Sequence, residues 1–312
     1  MTDPLLREAK AAIARGSKSF ALASRLFDAP TRARATMLYA WCRHCDDVTD
    51  EQELGMGFLG RAGTIHQRVA MLREETHAAL NGGRPRGTPF AALRRVADET
   101  GLPERYAMDL IAGFEMDADE PVYRTAGQTL TYCYHVAGCV GVMMAVVMGV
   151  APTDRATLER ACDLGLAFQL NNIARDVVED AARGRCYLPA QWLADADIEP
   201  GEEAKPWARD RLAQVVARLV GEAERYEASA RAGAAALPFR SAWAVLAAAE
   251  IYGAIGRKVR AAGPRAWDKR VTTGRIEKLA LLARARTAAA RRRQAALMGN
   301  APARDGLWTM PA

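Results

Sequence analysis

The sequence predicts an all-α protein folded as a single domain. Alanine fills roughly a fifth of the 312 positions, and alanine is the best helix former. Apolar residues recur at the 3.6-residue spacing of an amphipathic helix almost throughout, and strand-like alternation is nearly absent. No segment repeats with a period of roughly 20 to 50 residues, which sets a solenoid aside.

In chain order, helices are expected near 4–15, 30–50 and 60–80, the last closed by Asn81-Gly82-Gly83-Arg84-Pro85. Two more follow near 88–100 and 103–116, closed by Asp119-Glu120-Pro121. A long apolar one is expected near 126–149, ended by Ala151-Pro152, and another over 153–182. Beyond the break at Ile198-Glu199-Pro200-Gly201 come 203–236 and 239–262, then Gly263-Pro264, then 273–296. Gly and Pro punctuate these breaks. Each has the length of an ordinary loop and none has the bias of a domain linker. Residues 1–298 therefore read as one helical domain, and Gly299 to Ala312 as a loose tail.

Half the residues are apolar and 26% are charged, which suits a soluble globule and excludes disorder. The net charge of +6 hides an asymmetry. From Arg257 to Ala312 there are fourteen basic and three acidic residues, a net of +11, whereas the preceding 256 residues carry a net of −5. An acidic body with a basic end argues against a nucleic-acid partner.

Six cysteines in a long chain do not suggest a disulfide framework. Met1 to Lys10 mixes charges without an apolar stretch, so no export signal is expected, and a reducing cytoplasm is the expected compartment. Cys133 to Pro152 has no formal charge apart from His135 when protonated, and is long enough to span a bilayer. It stands alone, and Tyr134, His135, Gly138 and Gly141 interrupt it, so it reads as a buried helix lining an apolar cavity. Met143, Met144 and Met148 would adapt that lining in shape. Cys42-x-x-Cys45 lacks a second ligand pair of matching spacing and lies inside a helix, which argues against zinc. No phosphate-loop, dinucleotide or Gly-x-Ser-x-Gly signature appears.

The chemistry concentrates in two stretches. In Tyr39-Ala40-Trp41-Cys42-Arg43-His44-Cys45-Asp46-Asp47-Val48-Thr49-Asp50, Asp46 and Asp50 are four apart and share a helical face with Arg43. In Gln169-Leu170-Asn171-Asn172-Ile173-Ala174-Arg175-Asp176-Val177-Val178-Glu179-Asp180, Asp176 and Asp180 repeat that spacing, with Asn172 one turn earlier. Like charges at this spacing destabilise a helix by roughly 0.2–0.5 kcal/mol. A divalent cation between the oxygens removes that penalty. Mg²⁺ takes one or two carboxylates and completes its shell with water and substrate phosphate oxygens, so two facing pairs point to a diphosphate.

These two stretches, the second followed by Gly184-Arg185-Cys186-Tyr187-Leu188-Pro189, resemble the two signatures of the squalene and phytoene synthase family. Ser17-Lys18-Ser19-Phe20 resembles a third family element and Tyr132 to Gly141 a fourth. The similarity runs from about Gly16 to about Arg260, and the chain looks most like the bacterial phytoene-forming members. The resemblance implies the class I isoprenoid synthase fold, antiparallel helices around a central apolar cavity. It also implies head-to-head condensation of two geranylgeranyl diphosphates through prephytoene diphosphate to phytoene, without NADPH. Asp46, Asp50, Asn172, Asp176 and Asp180 would hold Mg²⁺, with Mn²⁺ as an alternative. Ser17, Lys18, Ser19, Arg43, Gln169, Asn172, Arg175 and Arg185 would contact diphosphate, and Tyr39, Arg43, Tyr132, Tyr187 and Tyr252 would stand near the reacting atoms. Asp47, Glu179 and Arg183 rank lower. Gly16 departs from the larger polar residue common in relatives. A farnesyl-condensing enzyme is the alternative, and a non-catalytic helical protein with a membrane- or nucleic-acid-binding tail a remoter one. The basic run from Ile276 to Arg293 suits peripheral contact with anionic lipid.

Overall fold

Several helices start where the sequence supplies a side-chain partner for their orphaned amide groups. The computed structural model describes residues 3–16, 23–50, 63–298 and 302–311. Helix α1 covers Pro4–Gly16 and α2 covers Ala29–Thr49. Asp28 caps α2 by accepting the Thr31 amide at 2.9 Å, and Pro30 supplies the preset φ of a first turn. Helix α3 (Ile65–Leu80) opens on a reciprocal box between Thr64 and Gln67, and α4 (Thr88–Thr100) closes at Gly101 with φ 67°. Then come α5 (Glu104–Asp119), α6 (Ala126–Val147), α7 (Arg155–Ala181), α8 (Ala190–Asp195), α9 (Arg209–Gly233), α10 (Phe239–Ala262) and α11 (Arg275–Leu297). No β-strand occurs among the described residues.

The boundaries depart from expectation in informative places. Helix α5 runs to Asp119, three residues further, until Glu120 adopts a left-handed φ of 47° before Pro121. That added turn carries Asp117. Helix α6 loosens into a π-turn over Tyr134–Gly138, and such turns gather at functional positions. The short α8 was not foreseen, and α9 begins only after a 3₁₀ turn at Pro206–Ala208.

Helix α7 is the axis of the molecule, packing on α6, α9 and α10, while α2 packs on α1 and α4. Its 27 residues span ~40 Å at the usual rise. Leu158, Cys162, Leu166, Leu170 and Ala174 are almost wholly buried along it. Helix α6, apolar and long enough for a bilayer, has more than half of its most apolar stretch buried inside the molecule. It crosses α7 at glycines. A Cβ built on Gly165 would lie 2.3 Å from the Ala137 carbonyl oxygen, and one on Gly141 would lie 2.4 Å from that of Ala161.

The loose tail expected from Gly299 is corrected over its described part, 302–311, which docks on α7 and α9. Arg304 donates to both oxygens of Asp163 at 2.8 Å, and Asp163 is fully buried. Tyr226 accepts the Trp308 amide at 3.0 Å, Trp308 packs against Tyr134 at 5.3 Å, and Met310 is buried. A buried carboxylate requires a partner, and the tail brings one from 141 positions away. No local pattern announces that.

Gly165→Ala is expected to force α6 and α7 apart, because the obstructing atom is backbone. A loss of about 1–3 kcal/mol should appear as a lower urea midpoint with an unchanged slope.

Candidate active site

Helix α2 delivers the first carboxylate pair at its C-terminal end. Asp46 lies on the penultimate turn, and Asp50 is the C-cap, its amide donating to the Asp46 carbonyl at 2.9 Å. Arg43 stands 3.7 Å from Asp46 and 3.9 Å from the buried Asp47, and donates to the Tyr39 hydroxyl one turn back. Desolvation by the surrounding walls pushes Asp46 up to about 7; Arg43 pulls the other way, while Asp50, Asp47 and Asp117 add to the rise. The Asp46 side chain keeps 46% of its surface accessible, so water and ions reach it. Asp50 is raised too, by desolvation opposed by Arg185, Arg43 and Arg183.

Helix α7 delivers the second pair. Asp176 is held by Arg175 through bonds of 2.7 and 2.5 Å, and by Arg270 at 3.0 Å from the loop after α10. Arg270 also pairs with Glu179. Arg175, expected on diphosphate, is therefore engaged with Asp176. Asp180 is pushed up to about 6 by desolvation and by Asp176. Past Ala181, Gly184 adopts φ 75° and lets the Arg185 amide return to the Asp180 carbonyl at 3.0 Å. Arg183 and Arg185 act electrostatically on both Asp50 and Asp180, so the two pairs share one site. Arg183, ranked low from sequence, belongs to it.

Tyr132 and Tyr187 stack at 4.7 Å, with Tyr123 tilted against both. Both hydroxyls donate to one carboxylate, Asp117, at 3.3 and 3.1 Å. Burial raises Asp117, with Arg185 opposing. Burial also raises Tyr132, Tyr187 and Tyr252, so their hydroxyls stay protonated. Asp117, Tyr123 and Arg270 escaped sequence reasoning. Asp117 sits in an ordinary acidic run, and the other two depend on tertiary placement.

An apolar cavity of about 360 Å³ adjoins this site. Helix α7 gives it one stripe, Ala161, Leu164, Phe168 and Asn172; α6 adds Val140, Gly141 and Met144, and Met148 follows at its C-cap. Gln169 and Asn172 lie on its wall and bond to each other at 3.4 Å. Tyr252 lies there too, stacked on Phe168 at 4.2 Å and felt by Arg175. Met143, expected in the lining, is fully buried elsewhere in the core. The neighbouring Asn171 is structural, donating to the Ala167 carbonyl at 2.8 Å. Ser17, Lys18 and Ser19 lie outside the described residues.

The donor set suits a hard cation held jointly with phosphate. Asp50 caps α2 and Asp180 lies in the last turn of α7, and neither turn holds a basic residue. A helix C-terminus favours cations. Among the described residues no three acidic, His or Cys side chains converge tightly enough to hold a metal alone. Mg²⁺ does not need that many, since water and phosphate oxygens complete its shell.

Comparison with known proteins places these features. The squalene/phytoene synthase model matches residues 13–277. The 15-cis-phytoene synthase of Pantoea ananas is 52% identical over 284 residues, covering 90% of this chain and 91% of its own. That of Paracoccus sp. is 48% identical over 314 residues, 100% and 99%. A dehydrosqualene synthase crystal structure superposes with TM-score 0.80 at 25% identity, over 91% and 95% of the two chains. The squalene synthase HpnC from Alicyclobacillus acidocaldarius shares the fold, with TM-score 0.74 at 22% identity over 83% and 94%. The docked apolar cavity, the paired aspartates and these matches together establish that the chain belongs to the squalene/phytoene synthase family.

Proposed function

We propose that this chain is a phytoene synthase, joining two geranylgeranyl diphosphates head to head and releasing diphosphate twice. The observation that carries this is the 360 Å³ apolar cavity walled by Gln169, Asn172 and Tyr252, one helical turn before Asp176. Relatives named 15-cis-phytoene synthase match nearly the whole chain. In the first step one C1–O bond breaks and the C1 cation adds to the other substrate's double bond. Loss of a proton closes the cyclopropane of prephytoene diphosphate. A second C1–O cleavage, ring rearrangement and proton loss give phytoene, and no reductant is consumed.

The chain's own groups fit these events. Arg43 and Arg185 offer planar forks to diphosphate oxygens. Gln169 and Asn172 are neutral, so they orient the substrate near the breaking bond without quenching a cation. The Tyr252 and Phe168 faces, and the Tyr132 and Tyr187 stack, stabilise positive carbon as they would a cation ligand. Asp117 fixes the last two hydroxyls by accepting from both. Asp46, Asp50, Asp176, Asp180 and Asn172 would hold Mg²⁺, which when bound would offset the charge growing on the departing diphosphate. Binding at Asp176 requires Arg175 or Arg270 to yield an oxygen.

We also infer peripheral contact with anionic membrane in the cytoplasm. Helix α11 exposes Ile276, Leu279 and Leu297 among its arginines, with Met298 exposed at its C-cap, the composition of an interfacial helix. All six cysteines are free, as a reducing compartment allows.

Purified protein given Mg²⁺ and labelled C20 diphosphate should yield a C40 hydrocarbon; a C30 product from the C15 diphosphate alone would reassign it beside dehydrosqualene synthase. Asp46→Ala and Asp176→Ala should lower turnover by about 10²–10³-fold, with helicity by circular dichroism unchanged.

A pH dependence follows from the raised carboxylates. Asp46 and Asp180 start from an ordinary value of 3.8 and reach about 7 and about 6. An acid raised on folding favours the folded state only while protonated, so its contribution declines from about pH 4 and is gone above about pH 7. In chelator, Tm should therefore fall across this window, and added Mg²⁺ should raise Tm more at pH 8 than at pH 5. Vesicle co-sedimentation should show binding to anionic lipid at low salt that high salt reverses.

A further inference from the structure

Helix α10 meets its neighbours at two glycines, and at each a polar side chain of the neighbour stands where a Cβ would be. A Cβ built on Gly253 would fall on Oε2 of Glu227, from α9, and one built on Gly256 would fall on Oδ1 of Asn171, from α7. Glu227 is buried, and its charge is met on both sides. Arg231, one turn further along α9, donates from Nε to Oε1 at 3.0 Å, and Arg257 of α10 donates from Nη1 to Oε2 at 3.3 Å. Arg231 continues to the buried Glu250 of α10 at 3.1 Å, which Arg284 of α11 also meets at 3.3 Å. The charges therefore alternate across three helices, through Arg257, Glu227, Arg231, Glu250 and Arg284. Glu250, Gly253 and Arg257 are spaced three and four apart, so they share the face of α10 turned to α9. Tyr252 and Gly256, also four apart, share the next face, where Tyr252 stacks on Phe168 of α7 and lines the apolar cavity.

We propose that Glu227 is a positioning residue for the reaction: seated in the Gly253 notch and pinned by Arg231 and Arg257, it fixes the depth and rotation of α10 and so holds the Tyr252 ring on the cavity wall. An apolar side chain in that notch would tolerate a small rotation of α10, whereas a buried carboxylate with two guanidinium partners is satisfied at one setting. A turn of one residue would carry Tyr252 about 100° away from Phe168. Asn171 seats Gly256 in the same way, one residue before Asn172 on the cavity wall. This inference rests on the proposed function for a carbocation beside Tyr252, and adds the residue that keeps the ring there.

The test is a double-mutant cycle on kcat between Glu227→Gln and Tyr252→Ala, with Mg²⁺ and geranylgeranyl diphosphate. Glutamine keeps the shape of the side chain and removes the charge that pins it. Gly253→Ala, which pushes the carboxylate out of its notch, is the second probe. Arg257→Gln, at a half-exposed partner, is a milder third that keeps the cycle readable where a buried change fails to fold. Glu224→Gln is the control, since Glu224 pairs with Arg260 at 2.8 Å across the same two helices on their exposed side. Circular dichroism and Tm establish that each variant is folded at the assay temperature. Glu227→Gln and Gly253→Ala should each lower kcat by about tenfold and leave KM within about twofold of wild type, with a smaller loss for Arg257→Gln. In the Tyr252→Ala background the same changes should cost less than about twofold, and Glu224→Gln should match wild type. Full kcat in the folded variants overturns the proposal. So does an equal fold loss with and without the Tyr252 ring, or a control as impaired as Glu227→Gln, since either makes the ion pairs a matter of stability alone. Wild type that condenses only the C15 diphosphate overturns the substrate assignment instead, and the cycle is then read with that diphosphate.

Discussion

The close crossing of α6 and α7 is the constraint on which the rest of the molecule depends. Two helices bearing ordinary side chains lie about 8–10 Å apart, and here Gly141 and Gly165 let backbone meet backbone. That contact fixes α7 in rotation as well as position. Once fixed, its 3.6-residue period assigns each stripe a duty. Leu158, Cys162 and Leu166 go into the core, while Ala161, Leu164 and Phe168 go to the cavity. Asn172, Asp176 and Asp180 then emerge at the polar end. A slip of one residue would turn aspartate toward hydrocarbon and leucine toward diphosphate.

The same helix shows why acidic spacing alone does not define a metal site. Glu159 and Asp163 stand four apart, as Asp176 and Asp180 do. Glu159 pairs with Arg155 at 2.8 Å and with Arg304 at 3.1 Å, and Asp163 pairs with Arg304 at 2.8 Å. Both are buried and compensated within the chain. Among the described residues Asp180 has no ion pair; Arg183 and Arg185 offset its burial only in part, and its carboxyl is pushed up to about 6. Within the second pair itself Asp176 is compensated by Arg175 and Arg270, so the two acidic pairs on α7 differ at Asp180 alone.

This also marks how far the sequence could be read. Alanine content and helical period were enough for the helices, because most of them are local objects with caps such as Asp28 and Thr64 beside them. The paired aspartates stood out by their i, i+4 spacing, whereas Tyr132, Tyr187 and Tyr252 were singled out only through the family resemblance. Asp117 was not, since its role depends on an added turn of α5 that ends only when Glu120 turns left-handed. Arg270 and Arg304 were not, since each acts across tens of residues of intervening chain. The basic C-terminal excess, of which only the run from Ile276 to Arg293 was read as lipid-facing, is divided. Arg270 and Arg304 turn inward onto carboxylates, and α11 keeps the exposed share.

The division of polar and apolar surface along α7 also explains how a carbocation survives in a protein with 37 acidic residues. A carboxylate touching the cation would capture it by forming an ester. Among the described residues no Asp or Glu lines the apolar cavity. The polar atoms nearest its active end are the amides of Gln169 and Asn172 and the hydroxyl of Tyr252, all neutral. Burial keeps Tyr252 and Tyr132 protonated, so no phenolate stands ready to be alkylated. Asp117 is occupied by two hydroxyls and sits behind the tyrosine rings rather than beside the cavity. Desolvation that looks costly at each tyrosine thus keeps phenolate out of the cation's path among the described residues, leaving aromatic faces and the leaving diphosphate as its neighbours.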